Sequence, residues 1–239
     1  MTDLRQTHSV LEVQGLYGGW GQTTVVEDVS LAVGAGEAVS IIGRNGVGKS
    51  TLLELIAGRA QRQAGGIRIG GNDCSSAPTY RRSDSGLGYV PQEREVFASL
   101  TVRENLLVAH RAGEWNEDRV FTMFPGLAQR SKSMGWQLSG GEQQMLSIAR
   151  ALMGNPKVLL MDEPTEGLAP VIVEQVVRVL RNIAADGTLG VLIVEQRVDV
   201  VLGLASRCLI MDRGRVVHRE SIASLRAKPE RLAQLIGLE

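Results

Sequence analysis

Cysteine is scarce: Cys74 and Cys208 are the only two in 239 residues. Two isolated thiols supply neither a disulfide framework nor a zinc-ligand spacing, and they read as reduced side chains in a cytosolic protein. Aromatic residues make up 4% of the chain. Net charge is missing too, because 26 Lys+Arg balance 26 Asp+Glu. That balance argues against attachment to nucleic acid or lipid by bulk electrostatics. The longest stretch free of charged residues, Val13–Val26, is interrupted by glutamine and glycine. It falls short of the ~20 apolar residues that a membrane-spanning helix needs. Met1–His8 is polar and has no apolar segment of the signal-peptide kind. The expectation is a soluble protein that meets a membrane only through protein partners.

Apolar residues, at 44%, suffice for a core, and glycine is abundant, with 28 residues against the usual ~7%. The glycines show no Gly-X-Y period, so a collagen-like chain is excluded. Many of them punctuate short apolar runs: Ser9–Leu16, Val25–Val33, Ala38–Ile42 and Gly66–Ile69 read as strands. Lys49–Gln61 has the leucine spacing of a helix, and 99–155 is more helical throughout. Val158–Met161 and Leu189–Val194 are buried-type strands on either side of a helix over Val171–Ala185, with Pro170 suited to its first position. Alternation of this kind implies right-handed crossovers and a parallel sheet. The end of the chain reads as a hairpin over Cys208–Val217 followed by short polar helices.

Three segments carry chemistry. Gly43-Arg44-Asn45-Gly46-Val47-Gly48-Lys49-Ser50, with Thr51 following, matches the phosphate-binding loop G-x-x-x-x-G-K-[ST], lying between an apolar strand and a helix. Backbone N–H groups of such a loop curl around a phosphate where a Cβ would obstruct it. The helix N-terminus adds partial positive charge, Lys49 reaches the β- and γ-phosphates, and the Ser50 hydroxyl can ligate Mg²⁺. Val158–Met161 leads into Asp162 and Glu163, carboxylates at the C-terminal end of a buried strand. There Asp162 would hold Mg²⁺ and Glu163 would polarise an attacking water as general base. Leu138-Ser139-Gly140-Gly141-Glu142-Gln143-Gln144 opens a helix in which Ser139 and Glu142 form a capping box. Its two glycines leave N–H groups bare, which makes a second anion site.

Those three elements, in that order, resemble the ATP-binding subunit of an ABC transporter over nearly the whole chain. The resemblance implies an α/β fold: a P-loop NTPase (RecA-like) core, an N-terminal antiparallel β subdomain and an inserted α-helical subdomain. Residues 1–239 would form a single ATP-binding domain. Its core would occupy 9–93 and 157–218, its helical subdomain 94–156 and a helical tail 219–239. ATP and Mg²⁺ are the implied cofactors. Two subunits would pair head to tail, so that Ser139, Gly140, Gly141 and Glu142 of one complete the ATP site of the other. Trp20 matches the aromatic on which adenine stacks, and its indole suits that contact. Gln92, in Tyr89-Val90-Pro91-Gln92, matches a glutamine that reaches Mg²⁺ and the attacking water. The segment after it, 94–133, would face a transmembrane partner.

Two positions depart from the family pattern. Gln196 stands where a histidine is usual, and it can donate a hydrogen bond but cannot carry a proton. In Thr165-Glu166-Gly167-Leu168-Ala169-Pro170, Ala169 stands where an aspartate is usual. Both departures, together with Phe124-Pro125-Gly126-Leu127, resemble the ATPases of branched-chain amino acid importers, with urea and short-chain amide importers as relatives. That branch implies two transmembrane permease subunits, a second ATP-binding subunit (a copy of this chain or, as the branch favours, a different one), an extracytoplasmic solute-binding protein, and a place on the cytoplasmic face of the inner membrane. A soluble ABC ATPase acting on ribosomes or DNA would more usually fuse two cassettes or carry long insertions and basic surfaces. A P-loop kinase would have no use for Leu138–Gln144. His8, His110 and His218 lie in no motif.

Overall fold

A computed structural model describes residues 9–227. In chain order the elements are β1 (Ser9–Trp20), β2 (Thr23–Gly34), β3 (Ala38–Ile42), α1 (Lys49–Ala57), β4 (Gln61–Ile69), β5 (Asn72–Asp73), α2 (Thr79–Asp84) and β6 (Leu87–Val90). Then come α3 (Val102–Val108), α4 (Glu117–Met123), α5 (Pro125–Gln129) and α6 (Gly140–Met153). The chain closes with β7 (Val158–Asp162), α7 (Pro170–Ala185), β8 (Gly190–Val194), α8 (Val198–Leu204), β9 (Arg207–Asp212), β10 (Arg215–Ser221) and α9 (Ile222–Ala227).

Two sheets result. β2-β1-β4-β5 is antiparallel, and β10-β9-β3-β8-β7-β6 is parallel except for β10 at its edge. Parallel strands are covered on both faces, which is why β7 and β8 read as unbroken apolar runs. Alternate residues serve different cores. Val158, Leu160, Leu192 and Val194 join α1 and the antiparallel sheet, whereas Leu159, Met161, Val191 and Ile193 join α6, α7 and the helices α3–α5. A third cluster ties α8 and α9 to β9 through Val201, Cys208, Ile210 and Leu225. No helix among the described residues is long and apolar enough to cross a membrane.

Several expectations shift. The helix starting at Lys49 ends at Ala57 rather than Gln61, because Gly58 adopts a left-handed conformation (φ 80°) and turns its N–H back onto the last helical turn. Gln61 instead opens β4, so that strand begins well before Gly66. β5, α2 and β6 were not anticipated; β6 is short and contains Gly88 and Tyr89, which dilute its apolar pattern. β1 runs on past Leu16, the expected end of the first strand, to Trp20, which thus stands just before β2. The hairpin expected over Cys208–Val217 is β9–β10 and extends to Ser221, and α9 follows. The remainder of the expected tail, 228–239, lies outside the described residues.

Leu160 lies fully buried in the middle of the sheet. Leu160→Ala is expected to lower stability by about 3 kcal/mol in urea unfolding, whereas Val217→Ala, on the exposed side of β10, should leave it within about 0.5 kcal/mol.

Candidate nucleotide site

The C-terminal ends of β3, β8 and β7 lie side by side in the parallel sheet, and each delivers one part of an open cleft. After β3 comes the phosphate loop. Gly48 takes φ 101°, a conformation few side-chain-bearing residues tolerate, and passes directly into α1. The α1 start leaves its first N–H groups without intrahelical partners. Lys49, 4% exposed, folds back and donates from Nζ to the carbonyl oxygens of Gly43 (2.9 Å) and Arg44 (3.0 Å). Burial lowers its pKa, and the charges of Glu163, Asp162 and Glu195 oppose that shift. Asn45, Gly46, Gly48, Lys49, Ser50, Thr51, Gln92, Glu163, Glu166 and Gln196 line the cleft, whose volume is about 290 Å³.

After β7 come the carboxylates. Asp162 accepts from Ser50 Oγ at 3.0 Å. Burial pushes its pKa up to about 6, an effect that the Ser50 hydrogen bond counteracts and the neighbouring Glu163 reinforces. Glu163 takes a left-handed backbone conformation (φ 44°), unusual for a residue with a side chain. Its N–H donates to Val194 O at 2.9 Å, and its Oε1 lies 3.9 Å from Lys49 Nζ. After β8 comes Gln196, whose Nε2 donates to both carboxylate oxygens of Glu163, each at 2.7 Å. Gln92, after β6, donates from Nε2 to Glu166.

An oxygen pair at the mouth of a phosphate loop, the Ser50 hydroxyl and the buried Asp162 carboxyl, suits a hard divalent ion. Among the described residues no cluster of three or more His, Cys, Asp or Glu could hold a metal by itself. Such a pair fits Mg²⁺, which typically takes one or two carboxylates and completes its shell with phosphate and water.

The signature segment, Leu138–Gln144, lies elsewhere. Ser139, Gly140, Gly141 and Glu142 do not line this cleft. Ser139 caps α6, accepting from Glu142 N–H (3.3 Å) while Glu142 accepts from Ser139 N–H (2.8 Å). Gly140 is half-buried and Gly141 buried, and a Cβ on Gly141 would come within 2.7 Å of Ile172 on α7. Trp20 is likewise absent from the cleft lining, but it is 49% exposed at the β1–β2 turn, where Val25 of β2 reaches the cleft. It is not packed away in a core. Missed entirely were Glu195, buried beside Gln196, and the pairing of Glu166 with Gln92. The only sequence signal for Glu195 was its place directly after an apolar strand.

The family profile described as ABC transporter matches residues 26–166. The chain belongs to the ABC transporter family. This family member is 38% identical over 216 residues to the high-affinity branched-chain amino acid transport ATP-binding protein BraG of Pseudomonas aeruginosa, covering 88% of this chain and 92% of BraG. It is also 38% identical over 200 residues to the lipopolysaccharide export system ATP-binding protein LptB of Escherichia coli, covering 81% and 83%. Among solved structures, the ADP conformation of the ATP-binding cassette MJ1267 superposes with a TM-score of 0.81 at 26% identity, covering 97% of this chain and all of that one. The ABC cassette is therefore an ATPase that powers transport.

A raised carboxyl favours its protonated form in the folded state. In protein free of divalent cations, Asp162 thus contributes stability that is full below its unfolded value of 3.8 and is lost as pH rises to about 6. Urea unfolding of Asp162→Asn between pH 3.5 and 7 is expected to lack that part of the slope.

Proposed function

We propose that this chain is the ATP-hydrolysing subunit of an importer for branched-chain, hydrophobic amino acids. The observation that carries the hydrolytic part is the convergence of Lys49, Glu163 and Gln196 at three adjacent strand ends. ATP would lie with its phosphates against the N–H groups of residues 43–51 and with Lys49 on the β- and γ-phosphates. Trp20 would stack on the adenine. Ser50, Asp162 and Gln92 would hold Mg²⁺, which when bound neutralises charge on the β- and γ-phosphate oxygens. Glu163 would take the proton of the attacking water, oriented by the two Gln196 hydrogen bonds. Gln196 carries no titratable proton of its own, so it acts here as a holder and a donor to the γ-phosphate.

Because the signature segment is remote from the cleft of its own chain, Ser139–Glu142 would close the site of a second ATP-binding subunit. The ATP-binding cassette MJ0796, dimeric with ADP and Pi bound, has a TM-score of 0.77 to this chain at 26% identity and supports such a pairing. The branch resemblance favours a different ATPase as the second member. A groove of about 810 Å³ between α1–α2 and α3–α6, bordered by Tyr89, Glu95, Val108 and Arg150, offers a seat for one of two permease subunits. Membrane attachment would then rest on protein contacts at the cytoplasmic face of the inner membrane, with a solute-binding protein on the far side and no nucleic acid involved.

The solute assignment is supported by the BraG similarity and by Gln196 and Ala169 at the two departing positions. LptB, at the same identity over a shorter stretch, supports a second reading in which the chain powers lipopolysaccharide export. The two are separated by purifying the complex with its native subunits and measuring ATP turnover. Leucine or valine with the solute-binding protein is expected to stimulate hydrolysis several-fold, and Glu163→Gln to abolish it while ATP still binds. Stimulation by lipopolysaccharide instead would move the assignment to export.

A further inference from the structure

The loops after β7 and β8 are joined by a carboxylate for which the proposed chemistry has no task. Glu195 is 2% exposed. Its Oε2 accepts from Thr165 Oγ1 at 2.7 Å, and its Oε1 accepts from the backbone N–H groups of Gln196 (2.9 Å) and Arg197 (3.1 Å). The Glu195 N–H donates to Ile41 O at 3.2 Å, which pins the residue to β3, the strand that feeds the phosphate loop. Burying a carboxylate is costly unless donors meet it, and here three donors do.

The start of α8 accounts for two of those donors, since Gln196 and Arg197 precede its first turn and its N-cap residue, Arg197, makes no side-chain cap. It does not account for Thr165. That hydroxyl comes from the opposite loop, two residues after Glu163, and is itself buried. A closed circuit results. The Glu163 carboxylate is held by the Gln196 side chain, the Gln196 backbone by Glu195, and Glu195 by Thr165, which is joined through Pro164 to Glu163. Glu163 sits in a left-handed conformation that persists only where its surroundings enforce it. Glu166, next to Thr165, accepts from Gln92, so the same circuit extends to the third loop of the cleft.

We infer that Glu195 is a positioning residue for ATP hydrolysis: its buried carboxylate locks Thr165 and Gln196 together and so aims the Glu163 carboxylate. The inference rests on the reading of Glu163 as the base. Glu195 touches no reacting atom, and its loss should therefore lower kcat without loosening ATP.

Thr165→Val removes the hydroxyl at nearly constant volume, and Thr165→Ser restores it. In the assembled transporter, Thr165→Val is expected to lower kcat at least tenfold, with the ATP Kd within twofold of wild type. Thr165→Ser should turn over within threefold of wild type. Adding Thr165→Val to Glu195→Ala should cost no more than about a further twofold, since the acceptor is already gone; if Glu195→Ala does not fold, the Thr165 pair decides alone. Wild-type kcat in Thr165→Val, or an equal loss in Thr165→Ser, would overturn the inference. Glu163→Gln, measured alongside, separates the two claims. If it hydrolyses ATP at the wild-type rate the base assignment falls, whereas if only the Thr165 variants do, the base stands and the positioning role falls.

Discussion

Everything in the cleft depends on the parallel pairing of β3, β8 and β7. Register between these strands puts Ile41 opposite Val194 and Val194 opposite Asp162, so the next residues of each strand emerge together. Lys49, Glu163, Glu195 and Gln196 come from three separated parts of the chain and meet because those strand ends are adjacent. Both faces of the sheet are sealed by apolar cores, which leaves the strand ends as the place where polar groups can gather.

That gathering has an electrostatic cost which the structure meets locally. One buried lysine faces Asp162, Glu163 and Glu195, all of which raise its pKa against the effect of burial. Each carboxylate has its own donor: Ser50 for Asp162, Gln196 for Glu163, Thr165 and two backbone N–H groups for Glu195. Lys49 in turn spends its hydrogen bonds on the Gly43 and Arg44 carbonyls. The polar groups of the cleft are thus mutually hydrogen-bonded. A triphosphate with its cation would take Lys49 from the two carbonyls and meet Ser50 and Asp162, while the Glu195–Thr165 contact stays in place.

What the sequence made legible were contiguous motifs. Gly43–Ser50, Asp162-Glu163 and Ser139–Glu142 each carry their chemistry within a few neighbouring residues, and the alternation of strands and helices after residue 157 revealed the parallel sheet. Contacts between distant residues were not legible. The link from Glu195 to Thr165 spans 30 positions and that from Gln92 to Glu166 spans 74, and only the interleaved strand order brings them together. Gly141 is instructive in the same way. Its motif suggested an open anion site, but its lack of a side chain also answers to the approach of Ile172 on α7. Short elements such as β5 and α2 escaped notice because a few residues cannot establish a period.

Whether these three strand ends form the catalytic half of an ATP site is tested most directly by determining the structure with ATP and Mg²⁺ bound. Lys49 Nζ is expected to turn from the Gly43 and Arg44 carbonyls to the β- and γ-phosphates, with the metal at Ser50 and Asp162 and with Glu163 facing the γ-phosphorus across one water. A nucleotide bound with its γ-phosphate away from Glu163, and with Lys49 still on its carbonyls, would contradict that assignment.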